Sequence, residues 1–312
     1  MKGTLASAVA AATLATPALA QEAPLVMTPS SNWTADFGEH SCALRREFAA
    51  DGKTMFLELA RYAPTVTMEV TLASDTLAVS EDEPRIGFTP VEEPQAPDFF
   101  ERVSTTAGYA GVIVTRSLAP DEDVPLPEQR AAALRNTQAT SGLRVEDAFA
   151  QDVLLETGPL TDVMAVMDAC TTDLATYWGV DAEAQNTMSQ AAQWDWDDRW
   201  LDRYFEQARA LEDAHNLSVL RSQLLVDANG RVSRCVAYQL PANISADNPV
   251  CALLMDEARF EAARDAEGNA IASLLHFDVV RIDQFFMNER LREPGGRDSV
   301  RYPPRDISDA IQ

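Results

Sequence analysis

The chain has 312 residues, 46% of them hydrophobic, which is enough apolar material for one large or two modest domains. Its 49 Asp and Glu outweigh 25 Lys and Arg, leaving a formal charge of −24. That balance argues against nucleic acid and anionic lipid surfaces as main partners, since both would repel it.

At the N-terminus Lys2 precedes an uncharged, Ala-rich run from Leu5 to Leu19, and Ala18-Leu19-Ala20 fits the small-x-small cleavage rule. Residues 1–20 are therefore expected to be a signal peptide removed after Ala20. The run is too short and too weakly apolar for a spanning helix, which needs roughly 20 strongly apolar residues. The expected location is the periplasm, with no transmembrane segment in the mature chain.

Residues 21–31 read as an unstructured lead. From Trp33 to about Leu118 the pattern is mostly strand, with apolar and polar residues alternating over Lys53–Ala60 and Thr65–Leu72 as in half-buried strands. Tyr109–Thr115 is a further β-branched run. The stretches Glu81–Asp98 and Pro120–Pro127, rich in proline and acid, read as loops. After Pro159, the residues Leu160, Val163, Met164, Met167, Cys170, Leu174 and Tyr177 recur at helical spacing, with Gly179 as the stop.

Four cysteines occur, Cys42, Cys170, Cys235 and Cys251. An even count in an exported chain points to disulfides. The absence of C-x-x-C disfavours a thioredoxin-like site. His40, His215 and His276 are scattered, none at ligand spacing from a cysteine, so no metal site is expected. Three pairings are possible, and locality favours Cys235 with Cys251, leaving Cys42 with Cys170.

The run Trp194-Asp195-Trp196-Asp197-Asp198-Arg199-Trp200 allows an aromatic platform for a sugar or peptide. The preferred reading is that the tryptophans pack between two domains, with the acids at a helix start where the dipole favours them. Beyond it, Val219–Asp227 and Arg231–Leu240 read as a hairpin around Asp227-Ala228-Asn229-Gly230. Asn248-Pro249 starts a helix with Cys251, Leu254, Met255 and Ala258 on one face. A turn at Asp265–Asn269 leads into a last strand, Ala270–Ile282.

The fold class expected is thus α+β: a β-rich N-terminal domain with packed helices, then a small antiparallel sheet with one helix. The divisions are residues 1–20 (signal), 21–180 (β-rich domain ending in a helix), 181–215 (helical connector), 216–283 (C-terminal domain) and 284–312 (flexible tail).

The hairpin Leu225-Val226-Asp227-Ala228-Asn229-Gly230-Arg231-Val232 resembles the first hairpin of the TonB C-terminal domain. So does Ala258-Arg259-Phe260-Glu261-Ala262-Ala263-Arg264-Asp265, with Gly268 beyond it, although Ala262 stands where the family usually has proline. The resemblance covers about a quarter of the chain. Exported relatives of the domain carry a cysteine on the second strand and another on the helix, which implies the pairing Cys235–Cys251. What the resemblance implies for function is recognition by strand addition. The energy transduction of TonB itself also needs an uncleaved anchor and a long Pro-rich span, and the expectation here is neither.

No G-x-S-x-G, H-E-x-x-H, G-x-x-x-x-G-K-[ST] or G-x-G-x-x-G is present. No catalytic residue, cofactor or metal is therefore expected, and His276 reads as structural. The expected function is a non-catalytic envelope module for a protein or peptide partner, working through the edge strand Leu274, Leu275, His276, Phe277, Asp278, Val279, Val280, Arg281 and Ile282. Proline at Phe277 or Val279 would test it wherever the N–H points outward. The alternatives are an envelope hydrolase with a site in the N-terminal domain, or an anchored transducer if the signal is not cleaved.

Overall fold

The computed structural model describes residues 23–98, 100–119, 124–195, 198–215, 219–239, 242–244, 248–280 and 305–306. The expected signal segment lies outside them, as do Arg281 and Ile282 of the expected edge strand. The N-terminal strands are β1 (Leu25–Pro29), β2 (Thr34–Phe37), β3 (Cys42–Ala50), β4 (Lys53–Arg61), β5 (Thr67–Ser74), β6 (Arg85–Thr89), β7 (Phe100–Ser104) and β8 (Ala110–Ser117). Helix α1 (Leu126–Ala139), β9 (Gly142–Glu146), β10 (Val153–Leu155), α2 (Thr161–Tyr177) and α3 (Ala182–Thr187) follow. The strands form one large sheet in the order β7-β8-β5-β4-β3-β1-β10-β9-β6, with β2 beside β3.

Alternation explains the core. In β4, Met55, Leu57 and Leu59 enter the main hydrophobic cluster together with Met68, Val70 and Leu72 of β5 and Val112 and Val114 of β8. The opposite set, Phe56, Glu58 and Ala60, is buried too, so β4 is not half-buried as expected. Two further clusters are the reason: Ala43, Ala60 and Tyr62 pack against Val236 from the C-terminal part of the chain, and Phe56 packs with Ala73, Val103 and Ile113. At Gly111 the β8–β5 register leaves no room for a side chain, since a Cβ would lie 1.8 Å from the Leu72 carbonyl oxygen.

Three local expectations are corrected. Residues 25–29 are not an unstructured lead but β1, parallel to β10 (Leu25 opposite Val153) and antiparallel to β3 (Thr28 opposite Ala49). The stretch Glu81–Asp98 is not all loop: β6 pairs with β9 and buries Ile86 and Phe88. Helix α1 was not foreseen, because its buried residues, Ala133 and Thr137, make no apolar stripe.

Helix α2 buries Met164, Met167, Cys170 and Leu174, and ends at Trp178 with Gly179 at φ 85°, as the spacing predicts, but Tyr177, expected on the same stripe, is 56% exposed. The bond Cys42–Cys170 staples it to β3.

The C-terminal part contains β11 (Gln193–Trp194), α4 (Asp198–His215), β12 (Val219–Val226), β13 (Val232–Gln239), β14 (Ala242–Ile244) and α5 (Pro249–Glu257). The short β15 (Phe260–Glu261), β16 (Ala263–Arg264) and β17 (Ala270–Ile271) precede β18 (Ser273–Val280). The order β14-β13-β12-β18 makes a four-stranded antiparallel sheet. Its residues Leu220, Leu224, Cys235 and Ala237 share a core with Val250, Cys251 and Leu254 of α5 and with Trp200, Tyr204, Ala208 and Leu211 of α4. The sheet is therefore covered by two helices rather than one, and α4 is a wall of this core, not a connector. Met255, expected on the buried face of α5, is 43% exposed, and Ala258 lies just past the helix end. The Asn248 side chain caps α5 by accepting from the Cys251 N–H at 2.8 Å, and Cys235–Cys251 joins α5 to β13. Of residues 284–312 only β19 (Arg305–Asp306) lies within the described residues, and it runs parallel to β7, a pairing the free-tail expectation did not include.

Both polar turns of this part are built around an aspartate. Asp227 accepts from the backbone N–H of Asn229 and Arg231, and Asp265 from those of Glu267 and Asn269 and from the Asn269 side-chain amide. Gly230 closes the first turn at φ 74°, with a Cβ position only 1.9 Å from the Phe260 carbonyl oxygen. The Arg231 N–H above all holds the Asp227 carboxyl below its ordinary value, and the Asn269 side chain does so for Asp265. A depressed carboxyl contributes stability above its unfolded pKa of about 4 and loses it as pH falls through the folded value. Asp227→Asn is therefore expected to flatten the acid side of the stability curve, below about pH 5. Urea midpoints measured across that range check this; parallel curves for variant and wild type would contradict it.

Candidate functional site

The four-stranded sheet has two covered faces and two ends. Beneath its helix-free face lies the large sheet, and the contact is a seam of buried polar groups. Arg221 on β12 is 1% exposed and forms an ion pair with Glu69 on β5, itself 7% exposed. Tyr62 donates its hydroxyl to the same carboxylate at 2.9 Å, and the Arg221 guanidinium lies 5.8 Å from the Tyr62 ring centre. The Gln223 amide donates to the Tyr62 carbonyl at 2.7 Å and meets His40 Nδ1 at 3.3 Å. Burial holds His40 below its ordinary pKa. On β13, Arg234 lies 4.1 Å from the Trp178 ring centre.

β18 takes part in this seam and also ends the sheet. His276, read as structural, stacks on Tyr62 with ring centres 4.0 Å apart. Leu274 belongs to the main core and Leu275 packs against the helix-side core, as strand alternation requires. The backbone of Phe277, Asp278, Val279 and Val280 continues the pairing with β12 as far as Val280 opposite Val219. Among the described residues β12 is the one strand neighbour of β18.

The direction of the edge groups follows from Gln185 on α3. Its Oε1 accepts from the Leu274 N–H at 2.9 Å and its Nε2 donates to the Leu274 carbonyl at 3.3 Å. Leu274 therefore turns its backbone groups away from β12. Antiparallel alternation then points those of Leu275, Phe277 and Val279 toward β12, and those of His276, Asp278 and Val280 outward. Proline at Phe277 or Val279 would break the ladder to β12 instead of testing the edge, which corrects the expectation above. Gln185 itself carried no signal in the sequence; a lone glutamine in a six-residue helix has no pattern to betray it.

The tryptophan run packs, but inside the C-terminal core rather than between domains. Trp200 stacks on Tyr204 at 5.3 Å, and Trp194 meets Phe260 at 4.4 Å and Trp200 at 5.4 Å. Trp196 and Asp197 lie outside the described residues. A cleft of about 260 Å³ opens beside this cluster, lined by Trp194, Asp195, Arg203, Glu257 and Arg259 among others, with Arg203 and Glu257 paired across it.

Cys42 and Cys170, and Cys235 and Cys251, are bonded. Among the described residues no group of three or more His, Cys, Asp or Glu is placed to hold a metal ion, and no helix is long and apolar enough to cross a membrane. No known family profile, curated protein or solved structure matches the chain.

Proposed function

We propose that this chain is a non-catalytic module of the bacterial envelope, exported to the periplasm, that recognises an extended protein or peptide segment by strand addition on β18. The observation that supports this reading is the position of β18 at the end of its sheet, with outward backbone groups at Asp278 and Val280. Helices cover one face of that sheet and the large sheet covers the other, so a partner strand has an edge to address rather than a face. Backbone pairing there supplies affinity with little sequence demand, while alternate side chains set preference. The two disulfides fit an oxidising compartment.

The test is a photo-crosslinking side chain at Val280 in the full chain, with the Asp278→Pro variant as control. Proline at an outward position removes one donor and spares the ladder to β12. Crosslinks to an extended segment of another envelope protein are expected, weakened roughly tenfold by Asp278→Pro, the equivalent of one good hydrogen bond. Crosslinks confined to this chain, or unchanged in a folded Asp278→Pro variant, would reject the edge as the binding site.

A further inference from the structure

We infer that Gln185 is a built-in strand surrogate, closing the first pairing position of the β18 edge and fixing where a partner strand must begin. The inference rests on the strand-addition reading and adds to it the end at which an added segment must stop or turn. A primary amide offers an acceptor and two donors in nearly the arrangement of a peptide unit. Gln185 uses both ends on one residue, Leu274, as an opposing strand residue would in a hydrogen-bonded pair.

The surrogate is held rigidly. Gln185 is fully buried. Arg130 on α1 donates to the Gln185 carbonyl at 3.1 Å and to the Met188 carbonyl at 2.7 Å, tying both ends of this turn to the N-terminal part. Asp181 caps α3 through the Ala184 N–H, and Asn186 donates to Thr172 on α2 at 2.9 Å. Covering an edge is a recognised way to stop unwanted pairing. Here the cover is one side chain at one end of the strand.

The consequence is a landing site closed at one end. An added strand pairs with the outward groups toward the Val280 end, and its advance toward Leu274 meets α3. The segment that fits turns or ends on the α3 side, beside Leu274.

Residue-resolved amide exchange on the full chain tests this, with Gln185→Leu removing both bonding atoms at similar size and Gln185→Glu keeping the acceptor. In the wild type the Leu274 amide should exchange slowly and those of Asp278 and Val280 fast. In Gln185→Leu the Leu274 amide should exchange at least tenfold faster, and in Gln185→Glu it should stay protected. A synthetic peptide of this chain's own β12 sequence, Val219 to Val226, serves as a probe strand. It should protect Asp278 and Val280 in the wild type and in Gln185→Leu alike, because α3 still stands over Leu274. Unchanged Leu274 exchange in Gln185→Leu would overturn the surrogate and leave strand addition standing. Slow Asp278 and Val280 amides in the free wild type, or no protection by the probe in either protein, would instead overturn strand addition itself.

Discussion

Replacing Cys42 and Cys170 together by alanine is expected to cost about 5 kcal/mol of stability, against about 3 kcal/mol for the same change at Cys235 and Cys251. The difference comes from the loops each bond closes. Cys42 and Cys170 are 128 residues apart and Cys235 and Cys251 are 16 apart, and the entropy withheld from the unfolded chain grows with the logarithm of that number. The longer loop encloses most of the large sheet, so its staple acts on strands whose partners lie far away in sequence, such as β6 and β9. The shorter loop encloses β14 and the start of α5, where the Asn248 cap and the core contacts of Val250 and Leu254 already hold the helix. Urea unfolding of the two double variants, each against the oxidised parent, measures both terms. Equal losses, or a larger loss at Cys235 and Cys251, would mean that native-state packing rather than loop closure sets the contribution of these bonds.

What was legible in the sequence was local. Alternation marked β4 and β5, the stripe from Leu160 to Tyr177 marked α2, and Asn248-Pro249 marked the start of α5, because each pattern is written within one element. β1 escaped, since nothing in Leu25–Pro29 announces a parallel partner 128 positions away at Val153. β6 escaped because Ile86 and Phe88 sit among prolines and acids that dominate any local reading. The last strand was expected over Ala270–Ile282, but Ala270–Ile271 form β17 against β16 and β18 spans Ser273–Val280; the direction of its backbone groups hangs on Gln185, which touches it from 89 residues away. The seam was illegible for the same reason: Glu69, Tyr62 and Arg221 look like ordinary strand residues until two sheets are laid together.

Glu69→Ala is expected to cost about 3–5 kcal/mol, the usual penalty for removing one partner from a buried ion pair. The size follows from what is left behind. Arg221 is 1% exposed, so the change removes the carboxylate that faces a buried guanidinium. Without the Glu69 carboxylate the seam must either admit water or let the two sheets part. Tyr62→Phe removes only the hydroxyl bonded to that carboxylate and should cost about 1 kcal/mol. The double variant Glu69→Leu/Arg221→Met removes both charges and should recover most of the Glu69→Ala loss, since apolar replacement of a buried pair is often neutral or stabilising. Urea unfolding of the three variants gives the energies. Exchange at the buried β12 amides then separates the two routes, because parting of the sheets would expose them without global unfolding. If Glu69→Ala lost no more than Tyr62→Phe, the seam would already be wet, and the ion pair would not be what holds the C-terminal sheet against the large one. If the loss were large and the double variant did not recover it, shape rather than charge would set the cost, and Tyr62 stacked on His276 would be the contact to dissect next.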